Sequence, residues 1–410
     1  SKNAFVDESS FIRARLFDML VGNWDRHQDQ WRWAEFKTVD GKKRYEAIPR
    51  DWDQAFPKYD GPIISLLKFS FPLLRKMESY DADIKNVKWF NFSGYPLDKT
   101  FIKKANWEDW KSQVDFIQEN LSDADIESAF ETLPVEAQDE SIETIKKNLR
   151  LRRDGLESIA KSYYDYLSNF EVVLGTEDDD EFLITRKPGG ITEIGIAKDS
   201  VIFQNSYNNK QTNEIWVYGL DGNDMFTVEG NGKKPIDIKI MGGKKNDTYN
   251  FKNTKKVKLY DYKSKNNTIV NSKSRKWLTD SYDVNNYDYQ KRKYHENIVF
   301  PSIGYDADTG FRFGLKNRFT TYGLVNNPFE AQHTIGAEYF FATDGFAIDY
   351  NVEFGHVFYN WNLGFDLRYA SPNFTMNYFG EGNNSAFDGD LDRDFNRVRM
   401  RQWKFSPYLV

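Results

Sequence analysis

The chain has 410 residues, no cysteine, and 56 Lys+Arg against 62 Asp+Glu, a formal charge of −6. This excludes disulfides, thiolate metal sites and a cysteine nucleophile, and gives no reason to expect nucleic acid as a partner. Mean hydropathy is −0.72, and no window approaches the roughly 18–20 apolar residues of a membrane helix, whereas alternating strands leave no hydropathy peak and keep a β-barrel open as a reading.

In chain order, the first zone, 1–170, reads as mostly helical. Asp7, Ser9 and Ser10 offer N-caps to a helix with Phe11, Leu16, Met19 and Leu20 at helical spacing. The most apolar stretch, Gly61 to Leu74, is short and carries Lys68. Trp107, Trp110, Val114 and Ile117 predict a second amphipathic helix. Ile126, Ala129 and Phe130 predict a third that stops near Pro134. Ile142, Ile145, Leu149, Leu156, Ile159, Tyr163 and Leu167 form a longer core-facing stripe with a weak point at Gly155.

The second zone, 171–298, switches to period two. Segments such as Phe182 to Thr185, Ile215 to Tyr218, Ile236 to Ile240 and Val257 to Tyr260 predict short strands between Gly, Asn, Asp and Lys turns. The acidic run Glu177 to Glu181 reads as an exposed loop or boundary. Gly219-Leu-Asp-Gly-Asn-Asp224 and Gly242-Gly-Lys-Lys-Asn-Asp247 match at an offset of 23. Each looks like a single nonapeptide of a Ca²⁺-binding β-roll. Such rolls stack the motif in tandem, whereas these copies are isolated, so Ca²⁺ at Asp224 and Asp247 is not expected. Tight turns between rungs of a small β-structure are expected instead. Lys-rich patches such as Lys263 to Lys265 and Lys273 to Lys276 read as a solvated face.

The third zone, 299–410, predicts about seven long strands, and aromatics rise to nearly one residue in four, against 17% for the chain. In Phe346 to His356, one face carries Phe346, Ile348, Tyr350, Val352 and Phe354. The other carries Ala347, Asp349, Asn351, Glu353 and Gly355. A strand of this length spans a bilayer when tilted, and clusters such as Tyr339-Phe340-Phe341 and Phe358-Tyr359-Asn360-Trp361 suit an interfacial girdle. A soluble β-sandwich would also alternate. Both chain ends are expected to be cut from a longer protein.

The sharpest chemical signal is Gly22-Asn-Trp-Asp25-Arg-His27-Gln-Asp-Gln30, followed by Ile48-Pro-Arg-Asp51-Trp-Asp53. A loop Asp can accept a hydroxyl proton, and a second acidic position beyond a β-hairpin can hold Mg²⁺ against phosphates. A hydrogen-bonded corner around Asp25, Arg26 and His27, with Asp51 and Asp53 paired to Arg26, Arg44 or Arg50, is the structural alternative.

This pattern resembles the catalytic half of atypical kinases, the lipid-kinase-like, HipA-like and CotH-like groups. The resemblance implies Asp25 as catalytic Asp, with His27 beside it, and Asp51 or Asp53 as the metal-binding acid for Mg²⁺. Gln30 stands where those kinases have a metal- and cofactor-binding Asn. Only 24 residues precede Asp25, so the nucleotide-clasping lobe would lie outside this chain. Retention of the acidic core without that lobe would suit a pseudoenzyme.

The third zone resembles the BamA/TamA-type outer-membrane β-barrel family, on Phe300 to Gly314, on the turn Tyr378-Phe-Gly-Glu-Gly-Asn383-Asn-Ser385, and on Phe395 to Arg401. The resemblance implies the opening strands of a 16-stranded barrel in the outer membrane of a Bacteroidota cell. A calcineurin-like phosphoesterase precedes similar barrels, and here would have to precede Ser1. The expected architecture is therefore α+β and multidomain: a helical kinase-like domain over 1–170, a β-rich connector over 171–298, and an incomplete antiparallel transmembrane barrel over 299–410. The expected role is structural or accessory at the outer membrane, with its lipids and other outer-membrane proteins as partners. A metal-dependent phosphotransferase and a soluble carbohydrate- or protein-binding β-module are the alternatives.

Overall fold

The computed structural model describes residues 4–198, 200–271, 273–307, 309–324, 328–358, 361–382, 388–392 and 395–410. Among the described residues the fold is α+β, with nine α-helices and twenty strands in four sheets. The chain forms two compact units: Ser1–Asp60 with Lys76–Gln290, and Gly61–Arg75 with Lys291–Val410. The apolar segment after Asp60 thus clusters with the last third of the chain rather than with the unit that flanks it in sequence.

The first unit begins with β1 (Ala4–Val6), α1 (Glu8–Val21), β2 (Trp31–Lys37) and β3 (Lys43–Pro49). The strands form a small sheet in the order β1-β3-β2. Asp7 caps α1, its Oδ1 accepting the Ser10 N–H at 3.0 Å. Gly22 ends α1 in the left-handed region at φ 80°. After α2 (Pro62–Ser70), which belongs to the second unit, come α3 (Val87–Phe90), α4 (Tyr95–Phe101), α5 (Trp107–Asn120) and α6 (Asp123–Glu131). Capping boxes at Asn106/Asp109 and Ser122/Asp125 start α5 and α6. The long stripe divides at Gly155 into α7 (Glu140–Asp154) and α8 (Leu156–Ser168). Phe11, Leu16, Met19, Trp110, Val114, Leu156 and Tyr163 are buried among these helices.

The same unit continues into a coil of strands. β4 (Phe170–Leu174), β5 (Glu181–Lys187) and the hairpin β6 (Ile191–Ala197) and β7 (Val201–Asn208) come first. Then β8 (Glu214–Leu220), β9 (Met225–Gly230), β10 (Asp237–Gly243), β11 (Thr248–Phe251), β12 (Val257–Asp261), β13 (Thr268–Asn271) and β14 (Arg275–Leu278) alternate between two sheets, before α9 (Tyr282–Asn285). One sheet runs β14-β12-β10-β8-β4, all parallel. The other runs β13-β11-β9-β5, parallel, with β6 and β7 added antiparallel at its edge. Alternation lets parallel neighbours be joined by short turns, because each turn of the coil lays one strand in each sheet. Period-two side chains from both sheets, including Ile184, Ile215, Val217, Phe226, Ile238, Ile240, Tyr249 and Leu259, share one core.

The second unit is one antiparallel meander: β15 (Glu296–Asp306), β16 (Gly310–Thr321), β17 (Ala331–Phe340), β18 (Gly345–Phe358), β19 (Trp361–Asn377) and β20 (Arg397–Leu409). Among the described residues six strands form where seven are expected. The segments around Leu363 and Met376 belong to one strand, carried through Pro372 by a register shift between Ala370 and Phe374. Such shifts are where a sheet tolerates proline. Among the described residues the sheet is open, with β15 and β20 at its edges, and no closed barrel forms. Of the expected Gly-Asn turn, Asn383 to Ser385 lie outside the described residues, as do Tyr359 and Asn360 of the aromatic cluster.

Candidate functional site

The acidic loop begins where Gly22 turns the chain out of α1. Its organiser is Arg26, fully buried, and its partner is Asp18 on α1. Arg26 Nη2 reaches Asp18 Oδ1 at 2.7 Å, and Nε reaches Oδ2 at 2.9 Å. The same guanidinium donates to the carbonyls of Gln30 and Arg50 and lies over the Trp52 ring, 4.7 Å from its centroid. It thereby ties the loop before β2 to the segment after β3. Asp18 also meets Arg15 Nη1 at 2.6 Å, and Arg15 meets Asp98 at 2.9 Å. The expected pairing of Asp51 or Asp53 with Arg26 or Arg44 is not what forms. Arg26 bonds Asp18, and Arg44 bonds Glu46 at 2.6 Å and Asp7 at 3.7 Å.

Asp25 is half-buried, and Ser93 Oγ donates to its Oδ1 at 3.3 Å. The His27 ring turns to its own strand entry, its Nδ1 accepting the Asp29 N–H at 3.3 Å. Gln30 is buried, and its Nε2 approaches Asp51 Oδ2 at 3.5 Å. Asp51 is exposed and holds a left-handed backbone at φ 58°, which costs a non-glycine residue free energy. Asn23 Nδ2 reaches Asp18 Oδ1 at 3.2 Å and the Asp51 carbonyl at 3.4 Å. Asp53 is exposed and accepts from Gln54 at 3.2 Å. The fold therefore brings Gln30 and Asp51 together and leaves Asp53 and His27 facing elsewhere.

Two buried oxygens here have no hydrogen-bond partner: Asn23 Oδ1 and Gln30 Oε1. Buried polar atoms are almost always satisfied, so orphans of this kind ask for an explanation. Amide oxygens beside a carboxylate are hard donors of the type Mg²⁺ accepts. Among the described residues no three carboxylate or imidazole side chains converge on one point. It is the amide nitrogens of Gln30 and Asn23 that face Asp51, so an Mg²⁺ on Asp51 would draw on these oxygens only after both amides turned over. Sequence reasoning missed Asp18, Asn23 and Ser93. Asp18 was visible as an acid inside an apolar helical face.

The paired Gly/Asp repeats stack on successive turns of the coil. Asp224 N–H donates to Asp247 Oδ1, and Asp180 N–H donates to Asp224 Oδ1, each at 2.8 Å. Asp247 N–H continues the ladder to Asn267 Oδ1 at 2.8 Å. A third copy of the repeat, Gly175 to Asp180, lies in the acidic run expected to be exposed. Its neighbours are exposed, but Asp180 is buried by the ladder. The glycines make room for it: a Cβ on Gly219 would come within 2.2 Å of Asp224 Oδ2 and of the Gly242 carbonyl. Burial pushes the Asp224 carboxyl up to about 8, with Asp247 and Asp180 adding to the rise. Burial likewise raises Asp247 to about 7 and Asp261 to about 6. Each ladder carboxylate spends an oxygen on a backbone N–H, an arrangement of turns between rungs.

No protein-family model matches the chain, and neither any curated protein nor any solved structure does.

Proposed function

We propose that the second unit is a membrane-inserted part of an outer-membrane β-barrel protein, and that the first unit is its soluble, kinase-like companion with a structural or accessory role. One observation carries this reading: the six-stranded sheet has its burial inverted. Across the strands, Ile303, Phe313, Tyr339 and Phe346 lie in register, as do Leu315, Ala337, Ile348, Tyr369 and Trp403, and Ile335, Tyr350, Leu367 and Phe405. Most of these side chains are exposed, Trp403 at 77% and Ile303 at 63%. The opposite face holds Glu338 and Thr320, both buried, beside a small buried cluster of Phe340, Ala347 and Ala370. Its polar groups bond one another: Arg368 to Asp349 at 2.9 Å, Asn351 to Asp366 at 2.7 Å, and Ser302 to Glu338. In water an antiparallel sheet buries its apolar face and wets the other. A lipid-facing sheet does the reverse, and the strands, 10 to 17 residues long, reach across the hydrocarbon when tilted. Detergent-dependent solubility with heat-modifiable gel migration is the expected result. A full chain that is monodisperse in water without detergent would overturn the reading in favour of a soluble β-module.

A second reading attaches to the first unit. The orphaned Gln30 Oε1 and Asn23 Oδ1, on side chains whose amide nitrogens reach Asp51, support a metal-dependent phosphotransferase site, with Asp25 as the base. Mg²⁺ there would neutralise phosphate charge, while Asp25 accepts the proton of the attacking hydroxyl. The expected result is a thermal shift with Mg²⁺-ATP that disappears in Asp51→Ala. Absence of any shift in the intact protein would leave the acidic loop as a structural corner.

A further inference from the structure

Helix α2 and the turn after it form an apolar, exposed segment. Ile63, Leu66, Leu67 and Phe69 on the helix are 40–72% exposed, and Phe71 and Leu73 follow at 45% and 51%. Within α2 only Ser70 is buried. Apolar side chains cover most of the circumference of α2, with Ser65 and Lys68 on the remaining sector, and within its unit the helix packs by more than marginal contact only against β15 among the described residues. Nine residues rise about 14 Å at 1.5 Å each, under half the hydrocarbon thickness, so the helix cannot span.

Charge narrows the occupant. From Gly61 to Met77 there is no acidic residue, and Lys68, Arg75 and Lys76 supply three bases. Arg75 Nε folds back onto the Lys68 carbonyl at 3.2 Å, drawing two of these bases toward the C-terminal end of the helix. Apolar side chains with bases at one end suit the boundary between acyl chains and anionic headgroups. β15, the strand α2 packs on, itself exposes Ile303 and Tyr305. We infer that α2 with its following turn is an in-plane lipid anchor, with Ile63, Leu66, Phe69 and Phe71 among acyl chains and Lys68 and Arg75 at anionic headgroups. This rests on the membrane reading of the second unit.

The absence of native cysteine makes the test direct. A single thiol from Leu66→Cys carries a nitrobenzoxadiazole label in the full chain, refolded into phosphatidylethanolamine/phosphatidylglycerol vesicles. A second protein, labelled through Leu367→Cys, reports the apolar face of the sheet. The anchor predicts that brominated acyl chains quench the label at 66 at least twofold, and that iodide quenching falls severalfold against the label in urea. Quenching by bromolipid at 367, with the label at 66 open to iodide, overturns the anchor and leaves the membrane reading standing. A label at 66 shielded from iodide yet untouched by bromolipid overturns it in favour of a protein cover, a second copy included. Bromolipid quenching at neither position sinks both readings.

Discussion

The backbone N–H of Asp224 donates to Asp247 Oδ1 at 2.8 Å, so two residues 23 apart in sequence are neighbours on successive turns of the coil. Their second oxygens are buried, and that of Asp224 has no partner. Burial favours the neutral acid, which sets the direction of a pH effect. In the unfolded chain these carboxyls titrate near ~3.9. In the fold they titrate at about 8, 7 and 6 for Asp224, Asp247 and Asp261. Their protonated forms therefore stabilise the first unit fully below about pH 4, and that stability is lost as pH rises through 6, 7 and 8. The melting temperature of the first unit should be higher at pH 5 than at pH 8.5. Asp224→Asn keeps an oxygen for the Asp180 N–H and removes the charge, so it should flatten the upper part of that slope. A melting temperature that rises from pH 5 to 8.5 contradicts the buried ladder.

Gly242 tests the same ladder by volume. A Cβ there would sit 1.9 Å from Tyr249 Oη and 2.3 Å from Asp247 Oδ2. Gly195, on β6, meets nothing within 4 Å. Gly242→Ala should cost at least the roughly 1–3 kcal/mol typical of overpacking. Gly195→Ala should be close to neutral. Urea unfolding of the two variants compares them, and equal midpoints would show that the turn yields freely.

Arg26 and Asp18 are both fully buried; Asp18 is the carboxylate that Arg26 pairs with, and Asp18 is shared with Arg15. Removing Asp18 leaves the Arg26 charge buried without its carboxylate, which costs about 3–5 kcal/mol, whereas removing Arg26 leaves Asp18 paired with Arg15. Asp18→Asn should destabilise the first unit by an amount of that order, and Arg26→Met by less. The double variant should cost less than the sum of the two. A double-mutant cycle with no coupling would mean that the bonds of Arg26 to the Gln30 and Arg50 carbonyls do the holding alone.

What the sequence made legible follows from the range of the forces involved. Helical spacing located α1, α5 and α6, and a cap marked the start of α1, because spacing and caps are relations between residues three or four apart. Period-two alternation located most strands of the coil. The ladder was half visible: Gly219/Asp224 and Gly242/Asp247 lie 23 apart, but the copy at Gly175/Asp180 is displaced by the inserted hairpin β6–β7. The pairing of Arg26 with Asp18 escaped because it crosses the end of α1, and nothing local marks an acid on a buried helix face as paired. Pro372 hid the continuity of β19, since a register shift leaves no composition signal. The segment 61–75 reads as apolar from sequence, but its clustering with residues 291–410 is a long-range fact that no local pattern carries.

The inverted burial of the meander separates lipid from water as its solvent. Leu367 lies on the apolar face, opposite Tyr350 on β18 and Phe405 on β20, and is 43% exposed. Gln402 lies on the polar face, opposite Ala370. If water covers the apolar face, Leu367→Lys is a surface substitution with an effect within about 0.5 kcal/mol. If acyl chains cover it, a lysine near the bilayer midplane costs about 2–4 kcal/mol. Gln402→Lys, facing the polar side, should be tolerated in either case. Equilibrium refolding of the full chain into vesicles, read as the heat-modifiable fraction against urea, should move the midpoint down for Leu367→Lys and leave it nearly fixed for Gln402→Lys. Equal midpoints for the two lysines would place the apolar face in water or against protein. The contrast does not depend on how many strands complete the sheet, because both positions sit on strands already paired here.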